Sequence, residues 1–344
     1  MTRSPFLKRI TPQLIILAIV LLLNVLVLPD FFTVKFQNGR LFGNIIDVLN
    51  RGAPTALLCV GMTLVIATKG IDLSVGAVMA IAGATAASLV VEGQHWTTAV
   101  MGALAVGALC GAWNGILVAF LRIQPIVATL VLMVAGRGIA QLITEGTILT
   151  FLDQGLIHLG AGTVLGIPTP ILIWLSLGSF AAFLVRRTAL GLLIESIGIN
   201  EASSRLAGIN SRVLLLCVYV VSGIGAAVAG VIVTADIQGA DANNAGLWLE
   251  LDAILAVVIG GNSLLGGKFS IVASLLGAMI IQSVNSVILL SGMPPEFNLV
   301  IKALLILAIL VIQSPKVSHI IYILRASTPP AKVDRPNPAK ELKR

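Results

Sequence analysis

Charged side chains are scarce in this chain. Asp, Glu, Lys and Arg supply 11% of its 344 residues, where a soluble globular chain has roughly 25%. That scarcity excludes an ordinary soluble domain. Cysteine is rare too: Cys59, Cys110 and Cys217 are the only ones, and each lies inside an apolar run. There is no CxxC and no Cys/His spacing, so neither a disulfide framework nor a metal site is encoded. The thiols read as buried and inert. His95, His158 and His319 are scattered and fit no catalytic or metal pattern. Aromatic residues amount to 5% and are not interleaved with the basic ones, so the net charge of +7 does not point to nucleic acid. No cofactor is implied.

What the chain has in excess is apolar length. Hydrophobic residues make up 57% and the mean hydropathy is +1.03. A helix needs about 20 apolar residues to cross a bilayer. Candidate spans fall at 12–29, 52–68, 74–91, 97–120, 125–144, 168–185, 212–234, 248–262, 270–291 and 298–314. This is an all-α polytopic membrane protein of about ten transmembrane helices. Several spans are short, which leaves room for broken or re-entrant helices. The basic start, MTRSPFLKRI, precedes an apolar stretch without a small-x-small cleavage site. It reads as an uncleaved first span after a cytoplasmic N-terminus, residues 1–11. With the N-terminus inside, alternation puts all but five of the 22 basic residues on the cytoplasmic side. The exceptions are Lys35, Arg40, Arg51, Arg137 and Lys302. That bias places both termini in the cytoplasm. The membrane domain is 12–314. The polar, Pro-rich, basic segment 315–344 is expected to be a disordered cytoplasmic tail.

Small residues recur every fourth position. Gly107, Gly111 and Gly115 form one such stripe, Gly76, Ala80, Ala84 and Ser88 another, and Ser222, Ala226 and Gly230 a third. Such stripes let helix backbones approach closely in lipid, which predicts a tightly packed bundle.

Two polar interruptions stand out. KGIDLSVG, Lys69–Gly76, lies between two apolar runs. Lys69 suits the negative end of a helix dipole. Gly70 allows a tight reversal, and Asp72 or Ser74 can cap the next helix. A capped hairpin is one reading. A discontinuous helix facing a translocation path, or a contact with a cytoplasmic partner, is the other. GGNSLLGGKF, Gly260–Phe269, resembles a phosphate loop only superficially: Asn262 stands where the first glycine belongs and Phe269 where Ser or Thr belongs. It reads as a second Gly-rich cytoplasmic hairpin.

The longest cytoplasmic loop is about 186–212. Within it Gly198 and Gly208 bracket NEASSRLA, with Asn200 as a candidate N-cap. A short helix here is either a plain surface helix or a docking element. NEASSRLAGI resembles the coupling helix of permease subunits of ATP-binding cassette importers. GMTLVIATKGIDLSVGAVMAIAG, PIVATLVLMVAGRGIA and ELDAILAVVIGGNSLLGG resemble segments of the ribose/xylose/galactose-type sugar permeases. RLFGNIIDVLNRGAP and ADIQGADANNAGLWLELDAI are most similar to the galactofuranose type within that family. The resemblance covers about residues 45–312. It departs from the coupling-helix consensus at EAS and in its gap to Gly208.

The resemblance implies a non-catalytic subunit in a bacterial inner membrane. Two copies of the chain would form a homodimeric pore. Two ATPase subunits would dock on the loops, and a periplasmic sugar-binding protein would deliver the substrate. Asn200, Glu201, Ala202, Arg205 and Gly208 are the residues expected to meet the ATPase. Inside the spans, Arg137 either pairs with an acid or lines the sugar path. Asn24, Asn114 and Asn285 either bridge helices or meet sugar hydroxyls. Glu250 and Asp252 open a span, where acids suit a helix N-terminus; gating or docking of the binding protein is the alternative. An ion-coupled secondary transporter is the competing class, but no acid is placed beside Arg137 by sequence.

Overall fold

The computed structural model describes residues 5–37, 39–292, 294 and 296–313. The expected tail, 315–344, lies outside them. The chain divides into two compact units, 1–295 and 296–344. In the second, one helix, α14 (Glu296–Gln313), is described.

The first unit is mostly helical. Its elements are α1 (Pro5–Val27), α2 (Asn44–Arg51), α3 (Ala53–Ala67), α4 (Val75–Val91), α5 (Trp96–Ala119), α6 (Pro125–Ile143) and α7 (Gln154–Ala161). There follow α8 (Thr169–Arg187), α9 (Leu190–Ile199), α10 (Glu201–Leu206), α11 (Ser211–Asp236), α12 (Leu249–Ile259) and α13 (Ile271–Leu290). Proline opens α3, α6 and α8 within their first two positions, where its missing N–H costs nothing. Between α2 and α3 the axis bends by 42°. Gly52 and Pro54 sit at that break, and Pro54 cannot donate the bond that would continue the helix.

Among the described residues six helices are long and apolar enough to cross a membrane: α1 from Ile10, α5, α6, α8, α11 and α13. The bent pair α2–α3 makes a seventh. Two expected spans are shorter helices. The first, α4, has 17 residues. The second, α12, has 11, about 16 Å at 1.5 Å per residue and near half the hydrocarbon thickness.

Helix α11 is the central post, with α3, α4 and α5 packed around it. Glycine sets the closeness. A Cβ on Gly107 would lie 2.5 Å from the Ala227 Cβ, one on Gly111 2.8 Å from the Val220 Cα, and one on Gly61 2.5 Å from the Ser222 Cα. Gly223, Gly230 and Gly277 are closed off by neighbouring backbone in the same way. The stripe on α5 therefore faces α11.

Short strands tie the loops at one end. The strands β1 (Lys35–Gln37) and β2 (Arg40–Phe42) form a hairpin. β3 (Leu149–Thr150) pairs with β6 (Gly239–Ala240). β4 (Thr163–Val164) and β5 (Ile167–Pro168) form a second hairpin, and Leu41 N donates to Gly166 O at 2.9 Å. These segments gather at the C-terminal end of α11. Lys69, Arg122, Glu201 and the 262–270 turn gather at its N-terminal end. The 26 residues of α11 put the two ends about 39 Å apart. The loops that charge alternation assigns to opposite sides thus sort to opposite ends.

Candidate coupling and pathway site

The short helix α10 forms as the sequence expects. Asn200 is in extended backbone, φ −154° and ψ 102°, and its side chain accepts from Ser203 N at 3.1 Å. Gly208, with φ +85°, takes the left-handed turn that ends the segment. Ala202, Arg205 and Gly208 face solvent, and so does Leu206, at 91% exposure. Only Ser204 of this helix is buried.

Glu201 does not face outward. Its Oε1 is 3.0 Å from Arg122 Nη1, at the end of α5, and accepts from Ser211 Oγ at 2.9 Å, at the start of α11. One carboxylate therefore latches α10 to two core helices. Lys69 adds a second tie, its Nζ donating to Ile199 O at 3.0 Å. Gly267 N donates to Ala67 O at 2.9 Å, and Phe269 N to Glu195 Oε1 at 3.4 Å. The two Gly-rich hairpins and the long loop are thus one assembly. A cavity of about 270 Å³ lies inside it, walled by Lys69, Arg122, Glu201 and Tyr219.

The turn at Lys69–Gly76 differs from expectation in two ways. Lys69, not Gly70, carries the left-handed backbone, with φ 65°. Gly70 is required for space: a Cβ there would lie 2.6 Å from the Tyr219 hydroxyl. Ser74 occupies the N-cap position but makes no capping bond with its side chain. Asp72 Oδ1 accepts from Ser74 N at 3.0 Å instead, and Thr129 Oγ1 on α6 accepts from Leu73 N at 3.1 Å.

Asp72 is the hub of a buried network. Its Oδ1 accepts from Ser74 Oγ at 2.6 Å and its Oδ2 from Ser222 Oγ at 2.8 Å; Asn114 Nδ2 donates to Ser74 Oγ at 2.8 Å. All four residues are 2% exposed or less. The network joins the α3–α4 break to α5 and α11. Among the described residues, Asn114 Oδ1 and the Tyr219 hydroxyl are buried without a partner.

At the other end of α11, Arg137 donates to backbone. Its Nη1 reaches Ala242 O at 2.9 Å and Ala245 O at 2.6 Å. It thereby pins the loop 237–248 onto α6, with Asp241 and Glu250 acting at longer range. Asp241 heads that loop. The Asn244 side chain and backbone N–H groups of Asn243 and Asn244 hold its carboxyl below the usual range. Glu250 and Asp252 do open α12 and are buried, at 4% and 3% exposure. Glu250 Oε2 lies against Gly76, where a Cβ would come within 2.6 Å. Asn24 reaches Ser283 O at 3.4 Å and so bridges helices.

The described residues form an exposed short helix at one end, a pinned loop toward the other, and a buried polar network between. Residues 44–310 match the family described as branched-chain amino acid transport system / permease component. The chain belongs to this permease family. It is 58% identical to the galactofuranose transporter permease protein YtfT of Escherichia coli (strain K12), over 89% of each chain. It is 41% identical to the fructose import permease protein FruF of Bifidobacterium longum (strain NCC 2705), over 85% of this chain and 83% of that one. It is 39% identical to the ribose import permease protein RbsC of Escherichia coli (strain K12), over 90% and 94%. No solved structure matches.

Family members are the non-catalytic, membrane-embedded permease subunits of ATP-binding cassette importers, where separate subunits hydrolyse ATP. In this permease the sequence pointed to Glu201 but not to its partners. Arg122, Ser222, Tyr219 and Thr129 lie far in sequence from the motifs they meet, and Ser211, in the same loop as Glu201, carries no mark of its partner. A lone polar residue at a helix end or mid-span carries no signal of what it will meet. The expected coupling and pathway residues form three groups: Asn200–Gly208 at one end, Asp72, Ser74 and Asn114 within, and Arg137 with Glu250 toward the other.

Proposed function

We propose that the permease imports a monosaccharide, galactofuranose, and that it does so as a homodimer. Each copy crosses the membrane ten times with both termini in the cytoplasm. This count takes α4, α12 and α14 as crossings beside the six long helices and the α2–α3 pair. Two ATPase subunits dock on α10 through Ala202, Arg205, Leu206 and Gly208. A periplasmic binding protein meets the opposite end, where Arg137 fixes the loop 237–248. The single observation that carries the docking assignment is the bare Leu206 on a helix latched to α5 and α11 through Glu201. A push on α10 reaches both core helices through that carboxylate. The Asp72 network then links those helices to the α3–α4 break, so the break moves with them. The sugar assignment is supported by the 58% identity to the galactofuranose permease.

The test is uptake into proteoliposomes holding the permease and its ATPase, with the binding protein outside. Labelled galactofuranose should accumulate with ATP inside and not without it, while ribose and fructose do not. Accumulation of ribose alone would overturn the sugar assignment. Uptake driven by an ion gradient without ATP would overturn the mechanism.

A further inference from the structure

One apolar groove is not used by this reading. It runs along the outside of the bundle between α3, α8, α9 and α11, with a cavity of about 310 Å³. Leu57 and Leu64 form its floor, Phe180 one wall, and Cys217, Ile224 and Val228 the other. No charged side chain lines it. From Leu214 to Val228 it follows 15 residues of α11, a rise of about 21 Å. That is more than one leaflet of a ~30 Å hydrocarbon core and less than two.

One end of the groove is basic. Arg186 and Arg187 follow its lining residue Val185, and Arg212 precedes Leu214 by two positions; all three are exposed. The Arg187 guanidinium lies 6.0 Å from the Phe183 ring. Of the acids nearby, Glu201 pairs with Arg122, and Glu195 accepts from Phe269 N. A second, more polar cavity of about 310 Å³, lined by Arg186, Thr188, Glu195 and Ser270, shares Val185 with the groove, so three arginines outnumber the one acid there. An apolar trough about 21 Å long, ending at three arginines, fits a single anionic phospholipid.

We propose that this groove is a specific site for an anionic phospholipid, its acyl chain against α11 and its phosphate at Arg186, Arg187 and Arg212. Charge complementarity selects the headgroup. The length selects a lipid over a second copy of the chain, because a helix-packing seam would follow the whole of α11. The assignment to the cytoplasmic leaflet rests on the orientation proposed above. The binding itself does not, and the experiment uses no transport readout.

Cys217 supplies the probe. It is exposed, Cys59 is buried, and Cys110 is half-buried. A bimane is attached to Cys217 in full-length C110A protein, reconstituted in phosphatidylcholine vesicles. Doxyl-labelled phosphatidylglycerol or doxyl-labelled phosphatidylcholine is then titrated in at equal mole fraction. Phosphatidylglycerol should quench with at least threefold higher apparent affinity. R186Q/R187Q/R212Q should erase that preference. Should that variant not fold, Val221→Phe, which fills the groove without altering charge, should lower quenching by both lipids. Equal quenching by the two lipids in the wild type would overturn the proposal. So would protection from both lipids together with oxidative Cys217–Cys217 cross-linking of the unlabelled protein, which would assign the groove to a second copy.

Discussion

Asp72→Ala is the sharpest test of the buried network. The carboxylate accepts from Ser74 N, Ser74 Oγ and Ser222 Oγ, at 3.0, 2.6 and 2.8 Å, in a site where Asp72 is 2% exposed. Alanine removes every acceptor. Ser74 Oγ keeps the bond it accepts from Asn114, but its O–H loses its acceptor, as do the Ser74 N–H and the Ser222 hydroxyl. A buried donor left unpaired costs about 1–3 kcal/mol. The Ser222 hydroxyl can turn to a carbonyl four residues back on α11 and recover part of its share. The expected loss is therefore at least about 3 kcal/mol, the sum of three such penalties less that recovery. Asp72→Asn isolates the cause. It keeps the shape and one oxygen for Ser74, and the Ser222 hydroxyl reverses to accept from the new amide. Its cost should stay under about 1 kcal/mol. Reversible unfolding in mixed micelles, followed by circular dichroism, measures both. If Asp72→Ala lies within about 0.5 kcal/mol of wild type, the usual range for an inert surface change, the network contributes nothing. If Asp72→Asn is as costly as Asp72→Ala, the hydrogen-bond accounting is wrong.

Three more outcomes follow from the geometry. Glu201→Arg should abolish stimulation of ATPase activity by the loaded binding protein and cost the fold about 1–3 kcal/mol, chiefly because the buried Ser211 hydroxyl loses its acceptor; the ion pair itself, at 44% and 32% exposure, is solvent-screened. Arg122→Glu combined with Glu201→Arg should restore much of the stimulation; no recovery would show that the pair does not transmit. Gly111→Leu, which drives a side chain into the Val220 Cα, should cost at least about 3 kcal/mol, the top of the usual overpacking range; expression at wild-type levels with an unchanged melting temperature would contradict the close approach. Arg137→Met strands the carbonyls of Ala242 and Ala245, and protease cleavage within 237–248 should rise several-fold while the rest of the chain stays resistant.

Much of the bundle was legible because lipid imposes two strong signals. Apolar length marked α1, α5, α6, α8, α11 and α13, and four-residue spacing of glycine marked the face that α5 turns to α11. The count of ten was less legible. α12 is an 11-residue helix inside a longer apolar run, and hydropathy does not see where a run stops being helical. The bend at Gly52 and Pro54 was likewise invisible as an angle. The short helix α10 was legible from Asn200 and the bracketing glycines, since capping is a local bond. Its latch was not, because Arg122 and Ser211 stand 79 and 10 residues from Glu201. For Arg137 the sequence reading left an acid partner or the sugar path open, and the structure places its guanidinium on two backbone carbonyls.

That last difference bears on mechanism. An arginine paired with a carboxylate neutralises it, and such a pair resists separation in a low-dielectric setting. An arginine holding two carbonyls keeps its charge and holds a loop shape instead. Arg137 therefore fixes the backbone of 237–248 while leaving Asp241 to its own bonds with Asn243 and Asn244. Asp241 is held below the ordinary carboxylate range, so its contribution to loop order is complete above that range. It is lost only as the pH falls through the lowered value. The loop should accordingly keep its protease resistance through mildly acid pH and lose it at more acid pH. Asp241→Asn should show weakened resistance at neutral pH, because the backbone N–H groups of Asn243 and Asn244 then meet a neutral acceptor in place of a charged one. A loop whose resistance in wild type falls across the ordinary carboxylate range would place its order on a different acid.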